Sequence, residues 1–386
     1  MRPELPDIRI FANMAVRTPF MQNIRSSLLP ALSDTYSDLY AATEQADILV
    51  STSCTYAAPV VAEVRGITLV SSVLAPGVLD WHYSPPVISG AGGLARLRAR
   101  LKRVYILVLR WADKRLTRRD DRPIGRLRAQ HGLPDNPPHI VGHLCRSREL
   151  VLAMYPSLLE KPGVVWGPPL RITGAAFWDE TGPVPGEAEL KSFLAQGSPP
   201  ITFTLGSMVA FTDGAERFYA ASLEAARRLG RRAVLLTGSP NAVGVPKDLP
   251  EWAFALPYVP HARIFPASAV VVHHGGAGSL AQAMRAGRPM LIVPYAFDQP
   301  SNAAHAAHLG IARVIRPGRY TPANAARELN RLLTDPAITA RTAEIARHLA
   351  NEDGTANACD AIEQLLHRQR GRSVGAPVDA ALVPTH

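Results

Sequence analysis

A chain of 386 residues has length for two cores, and a mix of 47 % hydrophobic and 19 % charged residues belongs to a globular protein rather than a disordered one. Three widely separated cysteines, Cys54, Cys145 and Cys359, exclude a disulfide framework and a paired-cysteine zinc site, and they fit a reducing, cytoplasmic setting. The start, MRPELPDIRIFANM, carries no apolar leader, and no apolar run reaches the ~18–20 residues of a membrane span.

The net charge of +10 is concentrated: between Arg96 and Arg128 thirteen Arg or Lys stand against three Asp, a surplus equal to that of the whole chain. In chain order, Ile48–Val50 reads as a strand, Tyr56–Val64 as a helix stopped by Gly66, and Ile67–Val73 as a second strand. Residues 94–116 place apolar side chains at i+3/i+4 steps beside an arginine face, an amphipathic helix. Two surfaces fit residues 94–128: a solvated face of a packed helix, or a peripheral contact with anionic lipid. Nucleic acid is disfavoured because no aromatic platform interleaves the basic residues. Pro- and Gly-rich sequence from Lys161 to Gly186 reads as a connection between domains.

The second half is more regular. Strands are predicted at Pro200–Leu205, Ala233–Leu236, Phe254–Leu256, Val270–Val272 and Met290–Val293, and helices at Ala215–Leu229, Ser279–Ala286, Asn302–Leu309 and Asp353–His367. Short apolar strands alternating with helices imply parallel sheets covered on both faces. The stretch after Arg368 reads as a disordered tail. The expected division is residues 1–182, then 183–368 including the last helix, then a tail over 369–386.

One loop carries chemistry. In VVHHGGAGSLAQAM, His273–Gly278 follows a strand and precedes a helix. Glycines leave backbone N–H groups bare, the helix end adds roughly half a positive charge, Ser279 adds a hydroxyl, and His274 can donate to a phosphate oxygen. Without a lysine it is no P-loop; it suits a diphosphate. Two other readings stand beside this one: the GxGxxA spacing of Gly276, Gly278 and Ala281 as a dinucleotide fingerprint, and a turn that binds nothing. The dinucleotide reading lacks an acid at the end of the next strand, which closes Val293-Pro294-Tyr295. His273, beside His274, reads as a strand-end packing residue.

HHGGAGS followed by RAGRPMLIVPYAFDQPSNA resembles the donor-site signature of nucleotide-sugar glycosyltransferases, the bacterial branch of the UDP-glycosyltransferase superfamily, close to rhamnosyl-, macrolide and sterol glycosyltransferases. The likeness continues through ADILVSTSCTYAAPVVAEVRGIT, PPITFTLGSM and YVPHARIFPASAVVVHHGG. It implies an α/β protein of the GT-B fold, with an acceptor-binding and a donor-binding Rossmann-like domain facing across a cleft. It further implies metal-independent, inverting transfer of a hexose from a UDP- or dTDP-sugar to a hydroxyl of a small-molecule or lipid acceptor, with no bound cofactor. No D-x-D pair occurs, and no His/Cys/Asp cluster has metal spacing.

By that resemblance Tyr258 stacks on the nucleobase and Val259 offers it backbone bonds. His274, Gly276, Gly278 and Ser279 hold the diphosphate, with Ser207 flanking it. Gln282 takes the place of a ribose-binding acid, and Asp298 and Gln299 bind sugar hydroxyls. Packing is the alternative for Tyr258, and plain helix exposure for Gln282. The family's base, a histidine in a glycine-rich first βα turn, has no counterpart, and about two βα units appear absent from an incomplete N-terminal domain, on the order of 60 residues. His82, in LAPGVLDWHYSPPV, is a substitute candidate in a loop expected to face the acceptor. On this reading Arg25–Tyr40 packs against little, and the chain is poorly soluble and nearly inactive, from a misplaced start or a decayed gene. The competing functions are a non-catalytic nucleotide-sugar-binding remnant or partner, and a sugar-nucleotide epimerase.

Overall fold

The computed structural model describes residues 20–83, 111, 115, 118–135, 147–159, 170–206, 214–238, 245 and 248–374. The first unit contains α1 (Leu32–Ala42), β1 (Ile48–Thr52), α2 (Ala58–Arg65), β2 (Thr68–Val73), α3 (Pro76–Tyr83), α4 (Arg122–Gln130), β3 (Leu150–Ala153) and β4 (Leu170–Ile172). Its strands lie parallel in the order β1-β2-β3-β4, with Ile48 opposite Thr68, Val70 opposite Leu150 and Val151 opposite Leu170. Pro59 suits the first turn of α2, and Gly66 ends it in the left-handed region at φ +68°.

Two expectations change here. Arg25–Tyr40 does not pack against little: Ile24, Leu32 and Tyr36 are buried with Val60, Val61, Ile124 and Leu127. Arg25 forks onto Asp120 through two 2.8 Å bonds. His82 belongs to helix α3 rather than to a loop, and its side chain lies outside the described residues. Of the basic helix at 94–116, only Trp111 and Arg115 are described. At its downstream edge Arg128 turns inward, buried, and donates to Glu63 at 2.8 Å. Among the described residues no helix is long and apolar enough to cross a membrane.

The second unit contains α5 (Glu187–Ala195), β5 (Ile201–Thr204), α6 (Gly214–Arg228), β6 (Ala233–Leu236), β7 (Ala253–Leu256), β8 (Val270–His273), α7 (Ala277–Arg285), β9 (Met290–Ile292), α8 (Gln299–His308), β10 (Ala312–Val314), α9 (Pro322–Thr334), α10 (Pro336–Leu349) and α11 (Gly354–Val374). Six parallel strands run β10-β9-β8-β5-β6-β7. Ile201, Phe203, Leu235 and Val272 face one helical layer with Phe218 and Tyr219, while Val234, Val271 and Met290 face the other with Leu280 and Met284. Burial on both faces explains why these strands read as unbroken apolar runs. Thr321 and Asp335 cap α9 and α10, accepting from the backbone N–H of Asn324 and Ala337.

Helix α11 leaves the second unit. Ala358, Ala361 and Leu365 pack on Val70, Leu150 and Leu152 of the first sheet, and Asn357 donates to the Thr173 carbonyl at 2.9 Å. In its packing the last helix therefore belongs to the first sheet, and it runs through residues 369–374, where the sequence reads as tail. Two further contacts join the units. Gly77 of α3 abuts Ser301 of α8, where a Cβ would come within 2.7 Å of the serine Cβ. The Ser157 hydroxyl donates to Glu352.

Candidate functional site

The order of the second sheet creates a switch point. From β5 the chain winds outward to β6 and β7, then returns to place β8 on the other side of β5. A crevice opens at such a point, outside the carboxyl ends of the strands. Here β5 is followed by Gly206 and β8 by the His-Gly turn. A cleft of about 780 Å³ occupies the place. Its lining includes Gly206, Tyr258, Val259, His261, His274, Gly276, Gly278, Ser279 and Gln282 from the second unit. Leu74, Met154, Tyr155 and Pro156 come from the first, and Ala175–Asp179 from the connection.

The imidazole of His274 lies between two glycines. A Cβ on Gly206 would come 2.4 Å from its Cε1, and one on Gly276 2.4 Å from its Nε2. Gly206 also has φ +67°, so it answers to both a backbone and a space requirement. Burial pushes the His274 pKa down to about 4, leaving a neutral ring whose buried Nδ1 has no hydrogen-bond partner among the described residues. Gly276 is the N-cap residue of α7 and supplies no side-chain cap, so the first turn, through Gly278 and Ser279, opens backbone N–H groups toward the cleft.

His273 closes β8, fully buried, and its Nδ1 accepts from the Gly275 N–H at 3.1 Å. Gly275, at φ +91°, packs against Ile292 and the Gln299 carbonyl. Asn302 pins the turn from below, donating to the Gly275 carbonyl at 2.9 Å and to Asp298 at 2.7 Å. This asparagine was not singled out in the sequence, because its signal is a contact 27 residues away.

Tyr258 stands exposed on the cleft wall and donates to Glu180 at 2.9 Å, while Val259 beside it is buried. His261, also overlooked, lines the same wall, stacks on Phe265 with centroids 4.3 Å apart, and is held near pKa 4 by burial. Gln282 meets two residues the sequence did not single out. Its Oε1 accepts from Arg285 at 2.9 Å, and its Nε2 donates to Asp179 at 3.5 Å.

Asp298 and Gln299 are not brought into that lining. They lie at the carboxyl end of β9. Gln299 Oε1 accepts from the N–H groups of Tyr295 and Ala296, at 2.8 and 3.0 Å. That brace holds Phe297, a non-glycine residue at φ +56°, a strain of about 1–3 kcal/mol of the kind found at functional loops. Burial raises the Asp298 pKa, opposed by the Asn302 bond. Ser207 lies outside the described residues. Among the described residues no group of three His, Cys, Asp or Glu is placed to hold a metal ion.

Comparison with known proteins places this cleft in context. Residues 234–365 match the family described as Erythromycin biosynthesis protein CIII-like, C-terminal domain. The chain is 34 % identical over 297 residues to O-mycaminosyltylonolide 6-deoxyallosyltransferase of Streptomyces fradiae, covering 75 % of this chain and 66 % of that protein. It is 30 % identical over 364 residues to an uncharacterized glycosyltransferase of Mycobacterium leprae, covering 90 % of this chain and 79 % of that one. Among solved structures, the glycosyltransferase VinC in complex with dTDP superposes with a TM-score of 0.60 at 22 % identity, over 94 % of this chain and 86 % of that one. The chain spans about two thirds of the length of the Streptomyces relative.

Proposed function

Because the chain belongs to the UDP-glycosyltransferase superfamily, with the GT-B arrangement of two α/β units, we propose that it transfers a hexose from a UDP- or dTDP-sugar to a hydroxyl of a small-molecule acceptor of macrolide type, or of a lipid, without a metal and with inversion at the sugar carbon. One observation carries the reading: a neutral histidine between two glycines, beside an uncapped helix N-terminus, at the switch point of a parallel sheet. That combination suits a diphosphate leaving group. The helix end and the amides of Gly278 and Ser279 stabilise charge as it develops on the departing oxygen, and His274 donates a ring N–H to it.

Tyr258 offers the nucleobase an aromatic face, with Val259 beside it. The opposite wall, Leu74 with Met154–Pro156, is apolar and suits an apolar acceptor. The names of the Streptomyces relative and of the dTDP-bound VinC point the same way. Asp298 and Gln299, on the braced loop, remain the candidates for the sugar hydroxyls.

A second reading, a non-catalytic nucleotide-sugar binder, draws support from that same apolar wall. Its described first-unit residues include no His, Asp or Glu to serve as general base. Donor turnover with and without a macrolide alcohol separates the cases. Release of nucleotide that depends on the alcohol supports transfer. Sugar isomerisation without it means an epimerase. Binding with no turnover supports the remnant reading.

A further inference from the structure

Gln282 is a neutral amide, yet a carboxylate reaches the same point of the cleft from elsewhere in the chain. Asp179, in the connection between the two units, lies in the cleft lining beside Gln282. It accepts on Oδ1 from Arg285 at 2.6 Å and from Gln282 at 3.5 Å. Arg285 in turn lies over the Phe177 ring, 4.2 Å from its centroid, and donates to Gln282 Oε1. The trio is therefore fixed from three sides. Among the described residues Asp179 Oδ2 accepts no hydrogen bond, and the side chain is half exposed, at 49 %. The Arg285 bond holds the carboxyl below its usual range, so it is anionic at neutral pH.

The position along α7 decides what this carboxylate can meet. Gln282 is five residues beyond Ala277, about 7.5 Å along the helix axis from the end assigned to the diphosphate. With a diphosphate at that end and a base against Tyr258, the span between them is where the pentose sits. Oδ1 already faces Arg285 and Gln282, but a carboxylate oxygen near a diphosphate is unfavourable unless a donor faces it, Oδ2 has none among the described residues, and the donors of a pentose are its hydroxyls. Carboxylates are the usual acceptors for a ribose 2′-hydroxyl in parallel-sheet nucleotide sites. We propose that Asp179 accepts from the ribose 2′-hydroxyl and makes this site prefer a ribonucleotide donor, a UDP-sugar, over a 2′-deoxy one. The proposal rests on the donor-site reading above. It adds that the acid is supplied by the connection, 103 residues upstream of Gln282.

The test is calorimetric titration of the full chain with UDP, dUDP and dTDP, in the wild type and in Asp179→Asn. Asparagine keeps the shape and still accepts from Arg285. The wild type binds UDP on the order of tenfold more tightly than dUDP, the size of one charge-assisted hydrogen bond. dTDP behaves as dUDP does. In Asp179→Asn the UDP-to-dUDP ratio falls to about one while dUDP affinity changes little. Equal binding of UDP and dUDP by the wild type overturns the proposal. So does a variant that weakens all three alike, since Asp179 then only anchors the connection. Wild-type protein that binds none of the three removes the donor-site reading itself, and the proposal with it.

Discussion

Gly66 and Gly206 share a left-handed backbone, at φ +68° and +67°. A methyl group added to Gly66 meets nothing within 4 Å, whereas one added to Gly206 comes 2.4 Å from the His274 ring. The first glycine ends helix α2 and answers only to conformation. The second lies two residues beyond strand β5 and also makes room for the ring of the neighbouring strand's turn. The two units differ in the same way overall. The described cleft wall of the first is apolar, while the second packs titratable and glycine residues around the switch point.

The sharpest way to break this comparison is to give both glycines a side chain. Gly66→Ala and Gly206→Ala each cost about 1–2 kcal/mol of stability from left-handed strain. Only Gly206→Ala displaces the imidazole, and its nucleotide affinity is expected to fall by about 1–3 kcal/mol, the worth of the ring's hydrogen bond to a charged oxygen. Urea unfolding and nucleotide titration of both variants check this. Equal loss of affinity in the two would mean that the space around His274 is unimportant.

Acid sensitivity sharpens the comparison next. Burial holds His261 and His274 near pKa 4 and His273 well below its ordinary value. The unfolded chain takes up their protons at about 6.5. Folded protein therefore binds fewer protons below that pH. Stability is complete above pH 6.5 and is lost as pH falls toward 4, by on the order of 2 kcal/mol for each of His261 and His274 at pH 5. His261→Phe keeps a ring against Phe265 and removes one titration, so its urea midpoint should fall less steeply between pH 6.5 and 5. An unchanged slope would mean that His261 is not held neutral.

Legibility in the sequence followed local signal. The runs at 201–204, 233–236 and 270–273 were readable because strands buried on both faces carry unbroken apolar residues, and the His-Gly turn because its glycines and histidines are contiguous. Strand β10, three residues ending in the exposed Val314, offered no run to read. The expectation that helix α1 packs on little follows from the apparent absence of the first βα units; its partners are instead Val60 and Val61 of α2 and, some 90 residues downstream in an arginine-rich stretch, Ile124 and Leu127. In the site, Gly206, Asn302, Asp179 and Arg285 act through contacts between distant segments, which no spacing rule reports. Gln299 was legible as a polar residue after a strand, but its brace on the Tyr295–Phe297 loop depends on a backbone turn that only the folded chain displays.

The claim that the second unit holds a nucleotide diphosphate against His274 and the start of α7 is tested most directly by calorimetry of UDP binding to the wild type and to His274→Ala. The account predicts a single site in the wild type and a loss of about 1–3 kcal/mol in the variant, the worth of a hydrogen bond from the ring to a charged oxygen. Equal affinity in both proteins, or a site that takes NAD in place of UDP, would contradict it.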